Sequence, residues 1–207
     1  ETLKATFYCG INDAGIMQCT NLRSLDVSKN QKITNVNHLI QLEILNASND
    51  CGINNAGIMR CTNLETLVAS NNQNITSVNH LQQLKTLHAD YECGINDAGI
   101  VKCTNLKSLV VSFNDKITTL NHLVQLETLE AKYFCELRCS RINNDGIIKC
   151  TNLKTLNASH NCKITSVNHL QQLETLIASW DCGINDAGIV QCTNLKSLDA
   201  SRNSKIT

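Results

Sequence analysis

Apolar residues recur along the chain in a pattern that repeats every 42 residues. One half of each repeat reads LxxLxVxxNxxIxxVxxL over 20 residues from Leu22, and the other half takes 22 residues from Leu42. In both halves the alternating apolar positions predict a short strand, followed by a polar turn and a brief helical or 3₁₀ return. A single coil of this length buries too little apolar surface to fold alone, so the coils are expected to stack.

The second half of each repeat also carries a signal for the start of a helix. Asn12-Asp13, Asn54-Asn55 and Asn96-Asp97 each precede Ala-Gly-Ile. Such side chains accept hydrogen bonds from the first N–H groups of a helix, which lack backbone partners. The pattern therefore predicts an α/β solenoid of about ten coils. We expect it to be right-handed, with a parallel sheet on its concave side and short helical or 3₁₀ returns on its convex side.

Both halves resemble leucine-rich repeats. The segment TNLRSLDVSKNQKITNVNHL, which begins at Thr20, is similar to the short class ending in SxNxIT, and CGINDAGIxxCTNL resembles the cysteine-containing class. The resemblance covers the whole chain, and it implies a horseshoe or arc that binds proteins or peptides on its concave face. In the second half the cysteine lies one position later than in the cysteine-containing class. We therefore expect a local bulge after the strand.

Composition narrows the range of partners. Lys plus Arg and Asp plus Glu each number 18, so the net charge is zero and no basic surface is available for nucleic acid. No apolar run approaches the roughly 20 residues that span a bilayer, so we expect no membrane insertion. Residues 1–207 are expected to form a single domain. Because the chain begins and ends in mid-coil without polar caps, we expect a fragment of a longer array.

Ten of the 12 cysteines recur at two fixed positions of the repeat. Each position gives a row of cysteines along the predicted solenoid, which we call a file. Neighbours within a file are two coils apart, about 9.6 Å, which exceeds the ~7 Å limit between the Cα atoms of a disulfide. We expect small buried thiols and a reducing compartment, with the cytoplasm favoured. The glycosylation triplets at Asn46, Asn74 and Asn157 favour the opposite compartment, although Asn46 and Asn157 lie in predicted strands. The two files are Cys9, Cys51, Cys93, Cys135 and Cys182, and Cys19, Cys61, Cys103, Cys150 and Cys192.

Three further files are interpreted as scaffold. The asparagine that follows each first-half strand is expected to face inward and satisfy backbone groups of the turn. The histidines are too far apart along the solenoid to share a zinc ion. The charged residues that precede the strands alternate in sign from coil to coil, so they should hold the register. The asparagines are Asn30, Asn72, Asn114, Asn161 and Asn203, and the histidines are His38, His80, His122 and His169.

The candidate binding surface comes from two positions that vary between copies, one within the strand and one at its predicted end. All seven aromatic residues lie at the strand end or one residue later, whereas inward positions hold Leu, Ile, Val, Ala and Cys. Exposed rigid rings are common among binding hot spots. The candidate ligand-binding residues are His88, Tyr91, Val110, Phe113, Glu130, Tyr133, His160, Ile177 and Trp180.

An insertion interrupts the fourth copy of the second half. The chain reads CELRCSRIN from Cys135 where other copies read CGIN, and Glu136, Leu137 and Arg138 are expected to form a projecting rim over residues 136–141. Cys139 lies in this insertion, and Cys162 lies in the adjacent coil.

Adjacent strands bring Cys139 and Cys162 within disulfide reach, so we expect a bridge between them in an oxidising setting, which would place the protein outside the cell. Free thiols remain an alternative, as does a bridge that uses Cys135. A metal site with His160 and Cys182 is a further alternative.

The chain lacks a Gly-rich phosphate loop, a nucleophile with an ordered base and a distinctive carboxylate pair. We therefore expect a protein that is not an enzyme, without cofactor or metal, that recognises a protein or peptide through its concave face and the insertion. The alternative is a structural spacer or filament with no dedicated ligand, whose ends associate with one another. Association that depends on concentration and occurs through the ends would favour the structural array over the recognition module.

Overall fold

The computed structural model describes residues 1–133 and 141–207, and these residues form two compact units, Glu1–Asn105 and Leu106–Thr207. In each unit, five short strands pair in parallel and in sequence order. The parallel solenoid predicted from the repeat is therefore confirmed. None of the helices in the described residues is long and apolar enough to span a membrane.

The first unit contains five strands, two helices and one 3₁₀ turn. Equivalent leucines pair from strand to strand, so that Leu25 lies opposite Leu45 and Leu67 opposite Leu87. All four are buried as predicted. The elements are β1 (Thr2–Lys4), α1 (Asp13–Ile16), β2 (Ser24–Asp26), β3 (Ile44–Asn46), the 3₁₀ turn (Ala56–Ile58), β4 (Thr66–Val68), β5 (Thr86–His88) and α2 (Asp97–Ile100).

The second unit repeats this arrangement. Leu109 pairs with Leu129, and Leu156 pairs with Leu176. These four leucines are buried in the core, so the two residues beside each of them face away from the core. The elements are β6 (Ser108–Val110), β7 (Thr128–Glu130), α3 (Asn144–Ile147), β8 (Thr155–Asn157), β9 (Thr175–Ile177), α4 (Asp186–Ile189) and β10 (Ser197–Asp199).

After every strand except β7, the turn contains a residue in the left-handed backbone conformation. Lys29, for example, has φ of 60° and lies three residues beyond the end of β2. Its N–H donates to the carbonyl of Ser48 in the next coil at 3.1 Å, so the hydrogen-bond ladder continues past the strand. These positions, which the sequence placed at strand ends, are therefore turn positions. They are Phe7, Lys29, Asn49, Asn71, Tyr91, Phe113, His160, Trp180 and Arg202.

One copy of the second half-repeat has two consecutive left-handed residues in this turn. After β3, both Asn49 and Asp50 are left-handed, with φ of 58° and 55°. The irregularity predicted after that strand is thus a lengthened turn.

The paired residues before Ala-Gly-Ile have two different roles. Asn96 caps α2, since its Oδ1 accepts from the N–H of Gly99 at 3.0 Å, as predicted. The second residue of each pair reaches the next coil instead. Asn55 accepts from the N–H of Thr76 at 2.9 Å and donates to its hydroxyl at 2.7 Å. The motif therefore both starts a return and ties it to the following coil.

The file of buried asparagines stabilises the turns, as the sequence predicts. Asn72 is fully buried, and its Nδ2 donates to the carbonyls of Ala47 at 2.8 Å and Ile53 at 3.2 Å. Its Oδ1 accepts from the N–H groups of Asn74 at 2.9 Å and Ile75 at 3.2 Å. One carboxamide therefore joins two coils through four backbone groups.

Replacing Asn72 with alanine is expected to lower the free energy of unfolding by about 2 to 3 kcal/mol, because it leaves buried backbone donors and acceptors without partners. Asn63→Ala is the matched control, since it removes a single exposed hydrogen bond to the carbonyl of Ile40. Urea unfolding followed by circular dichroism measures both. Equal losses in the two variants would contradict the structural role of the buried amide.

Candidate functional site

The candidate surface consists of the exposed face of the sheet and the turn that follows it. In the second unit Val110, Glu130 and Ile177 are half-buried and flank core-facing leucines. In the first unit His88 occupies the equivalent position at the end of β5. Within its own unit, each of these four candidate residues therefore lies on the side of the strands that is turned away from the core.

The turn residues of the second unit form contacts between rings. The centroids of Phe113 and Tyr133 are 5.7 Å apart, and those of His160 and Trp180 are 5.0 Å apart in a stacked arrangement. The guanidinium carbon of Arg202 lies 4.1 Å above the Trp180 ring. The repeat thus holds consecutive aromatic side chains beside one another, and a cation extends the stack.

The corresponding row of the first unit is more polar. Phe7 and Tyr91 are both more than half exposed, and Lys29 Nζ lies 4.9 Å from the Phe7 centroid. Asn49 and Asn71 occupy the turns between them. The aromatic part of the candidate site is therefore concentrated in the second unit.

Exposure differs from the sequence prediction at one ring. Tyr91 is 53% exposed and Trp180 is 39% exposed, whereas Phe113 is half-buried. Tyr133 is buried, with 9% of its surface exposed, so the expectation that every ring is exposed is wrong for this residue. Its ring packs against the ring of Phe113, and the repeat pattern alone does not predict this contact. Phe134 lies outside the described residues.

Charged residues that the sequence reasoning did not assign to the site lie close to it. Lys132 Nζ is 2.7 Å from Glu130 Oε1. Asp199 accepts from the N–H of Ser201 at 2.9 Å, and hydrogen bonds from Ser201 lower the pKa of its carboxyl. Arg202 lies over Trp180. The frame of the repeat could have indicated Arg202, because it occupies the same turn position as the rings.

The predicted rim residues Glu136, Leu137 and Arg138 lie outside the described residues, as do Cys135 and Cys139. Cys162 is disulfide-bonded. Its pairing with Cys139 stays a prediction.

The cysteine files belong to the scaffold. Cys51, Cys61, Cys103 and Cys150 are buried, and burial raises the pKa of each thiol to about 11. The thiols of Cys61 and Cys103 donate to backbone carbonyls at 3.3 Å. The prediction of small buried thiols is confirmed at these positions, and thiols so rarely ionised at neutral pH are poor nucleophiles.

The histidines also contact the backbone. The Nε2 atoms of His38 and His80 lie 3.0 and 3.1 Å from the carbonyls of Ile16 and Ile58. His169 lies 3.2 Å from the Ile147 carbonyl, and burial lowers the pKa of its ring. Within residues 1–133 and 141–207, no group of three or more His, Cys, Asp or Glu residues could hold a metal ion.

The charges before the strands form the ion pairs predicted from their alternating sign. Glu127 lies between Lys107 at 3.3 Å and Lys154 at 2.8 Å, and hydrogen bonds from these lysines lower the pKa of its carboxyl. In the first unit, Glu65 pairs with Lys85 at 2.7 Å. These pairs join adjacent strands, so they contribute to register.

Comparison with solved structures finds the same fold in bacterial and plant proteins. An internalin, InlF, of Listeria monocytogenes strain 4b F2365 superposes with a TM-score of 0.62 at 21% identity, over 95% of this chain and 66% of that one. Internalin C2 of the same strain gives 0.56 at 22% identity, over 98% and 80%. The plant peptide hormone receptor RGFR1, in complex with RGF2, gives 0.58 at 17% identity, over 97% and 37%.

The chain spans just under two thirds of InlF and little more than a third of the receptor chain. No protein-family profile and no curated protein sequence matches it. At these identities the likeness shows the fold alone.

Proposed function

We propose that this leucine-rich repeat protein recognises a protein or peptide through the exposed face of its sheet and the ring-bearing turns that follow it. The observation that carries the proposal is the stack of His160, Trp180 and Arg202 in the second unit. Rings that belonged to the core would be buried, and among the described residues the apolar core consists of aliphatic side chains and thiols, with Tyr133 as its one buried ring. Trp180 remains 39% exposed while its neighbours hold it in place.

The left-handed turns order this surface before a ligand binds. A non-glycine residue at positive φ costs about 1 to 2 kcal/mol, and a hydrogen bond from the turn N–H to the next coil offsets part of that cost. The N–H of Trp180 donates to the carbonyl of Ser201 at 2.7 Å, and that of His160 to Ser179 at 3.2 Å. These bonds fix the backbone of the turn, and the ring of Trp180 stacks on His160. Ordering before a ligand binds reduces the entropy lost on binding.

Adjacent polar residues would provide orientation. Glu130 and Asp199 are acidic, whereas Lys132 and Arg202 are basic, so both signs of charge lie near the rings. Aromatic and arginine side chains surrounded by polar groups are the usual composition of binding hot spots. Among the proteins of similar fold, the plant peptide hormone receptor is in complex with RGF2.

The proposal is tested with ligands selected against the protein itself. A phage-displayed library of random peptides is panned on the 207-residue chain, and the selected peptides are measured against a His160→Ser, Trp180→Ser variant. We expect affinity to fall at least tenfold, because each lost hot-spot ring costs more than about 1.4 kcal/mol. The melting temperature should change little, since Trp180 is exposed and His160 is half-buried.

The matched control is Met59→Ser, Val190→Ser, which replaces two exposed apolar residues on the helical returns, 62% and 71% exposed. This variant should bind the selected peptides as the unchanged chain does. Peptides that lose affinity for the control variant, and keep it for the ring variant, would place recognition on the returns and overturn the proposal.

The alternative function, an array that associates through its ends, makes a different prediction. Sedimentation velocity over a hundredfold concentration range would then show growing species, and the ring variant would behave as the unchanged chain does.

A further inference from the structure

We propose that Asn74 is the acceptor of an N-linked glycan. The triplet Asn74-Ile75-Thr76 has the Asn-x-Thr form that oligosaccharyl transfer requires. Every first-half coil has the threonine, at Thr34, Thr76, Thr118, Thr165 and Thr207, but the residue two places earlier is lysine in the other four, at Lys32, Lys116, Lys163 and Lys205. Asn74 therefore replaces the lysine of the other copies, and this one difference completes the glycosylation triplet.

The structure places Asn74 where a glycan can be carried. Asn74 is exposed and lies in the turn after β4, with its backbone N–H held by Asn72 Oδ1 at 2.9 Å. The next residue, Ile75, is buried in the core. The backbone of the turn is thus fixed from inside, while the Asn74 carboxamide is outside and makes no hydrogen bond among the described residues.

The other two triplets are placed differently. Asn46 lies in β3 and its Oδ1 accepts from the N–H of Ser48 at 3.2 Å. Asn157 lies in β8, and its Oδ1 accepts from the N–H and the hydroxyl of Ser159 at 3.1 and 2.8 Å. Both side chains are half-buried on the exposed face of the sheet, between neighbouring strands. A glycan at Asn74 leaves the exposed face of the strands in the first unit open, whereas a glycan at Asn46 would cover it. A glycan at Asn157 would cover the corresponding face in the second unit.

The chemistry needs a lipid-linked oligosaccharide diphosphate as the donor. The bond between the anomeric carbon and the diphosphate oxygen breaks, a bond from that carbon to Asn74 Nδ2 forms, and the amide loses one proton as the lipid diphosphate leaves. In the folded chain the Thr76 hydroxyl accepts from Asn55 Nδ2 at 2.7 Å, and the Thr76 N–H donates to Asn55 Oδ1. Transfer therefore precedes the folding of this coil, after which the glycan lies in an exposed turn.

The disulfide at Cys162 is an independent observation that supports the same route. Disulfides form and persist in oxidising compartments, and the eukaryotic secretory pathway, where oligosaccharyl transfer takes place, is one of them. The many buried thiols do not contradict this, because burial raises the pKa of Cys61 and Cys103 and keeps them unreactive.

The test is to express the 207-residue chain with a heterologous signal peptide in eukaryotic cells and measure its intact mass. We expect a glycan on Asn74, which peptide-N-glycosidase removes with conversion of Asn74 to Asp. Asn74→Lys, which inserts the residue found in the other four coils, should abolish the glycan without changing the melting temperature. Asn74→Gln provides a second variant if the lysine impairs secretion.

Asn46→Gln and Asn157→Gln are the matched controls, and each should keep the glycan. Secreted, folded protein without a glycan would overturn the proposal. So would peptide mapping that finds the glycan at Asn46 or Asn157 and leaves Asn74 unmodified.

Discussion

Replacing Gly99 with alanine is expected to lower the free energy of unfolding by more than about 3 kcal/mol. A Cβ at this position in α2 would lie 2.2 Å from the carbonyl oxygen of Thr76 and 3.2 Å from its carbonyl carbon. Both segments are held in place, because the Gly99 carbonyl accepts from the N–H of Val78 at 2.8 Å and the Thr76 N–H donates to Asn55 at 2.9 Å. Relieving the contact would therefore break hydrogen bonds between coils.

Gly15→Ala is a control within the same Asp-Ala-Gly-Ile motif. At Gly15 the nearest atoms to a Cβ are Ile11 Cγ2 at 3.3 Å and Asn12 Oδ1 at 3.8 Å. Alanine favours a helix over glycine by about 1 kcal/mol, so this variant should be neutral or slightly stabilised. Urea unfolding monitored by circular dichroism compares the two. A similar loss in both variants would show that the contact with Thr76 is not the cause.

This contrast shows what the repeat pattern can and cannot predict. The spacing of Leu25 and Leu45 was enough to predict parallel strands and the core, because a 20- to 22-residue period leaves few ways to bury every leucine. The pattern also predicted that Asn72 faces inward. The motif itself does not distinguish Gly99 from Gly15, since the two copies are identical. Thr76 of the preceding coil lies against Gly99, whereas only Ile11 and Asn12 of its own coil lie near the Cβ position of Gly15.

The left-handed backbone conformation of the turn could not be predicted either, and the reason is a different one. Positive φ normally favours glycine, but this position holds residues such as Lys29, Tyr91 and Trp180 and never glycine. The conformation is imposed by hydrogen bonds to the next coil, which a local sequence signal does not report. Repetition did identify these positions as the variable ones, and that was sufficient to select the candidate rings. The prediction that Tyr133 is exposed was wrong: its ring is buried and packs against Phe113, and the repeat pattern does not specify this contact between side chains.

Raising the pH from 9 to 11 is expected to destabilise the fold through the buried thiols. Burial raises the pKa of Cys51, Cys61, Cys103 and Cys150 from 9.0 to about 11. In this window the unfolded thiols have lost protons that the folded thiols keep, so stability decreases as pH rises. The stabilising contribution is fully present below pH 9 and is lost as pH approaches 11. Each thiol accounts for up to about 1.4 kcal/mol per pH unit.

The measurement is the slope of the free energy of unfolding against pH. Because other groups titrate in the same range, the contribution of a thiol is taken from the difference in slope between variants. Cys103→Ala should lower stability at pH 8 through lost packing, yet reduce the slope between pH 9 and 11 by up to about 1.4 kcal/mol per pH unit. Leu81→Ala, at another fully buried position, should lower stability and leave the slope unchanged. The series is run with and without a phosphine reductant, because Cys162 is disulfide-bonded. If Cys103→Ala and Leu81→Ala show the same slope, the Cys103 thiol ionises as readily in the folded protein as in the unfolded chain, and burial does not protect it.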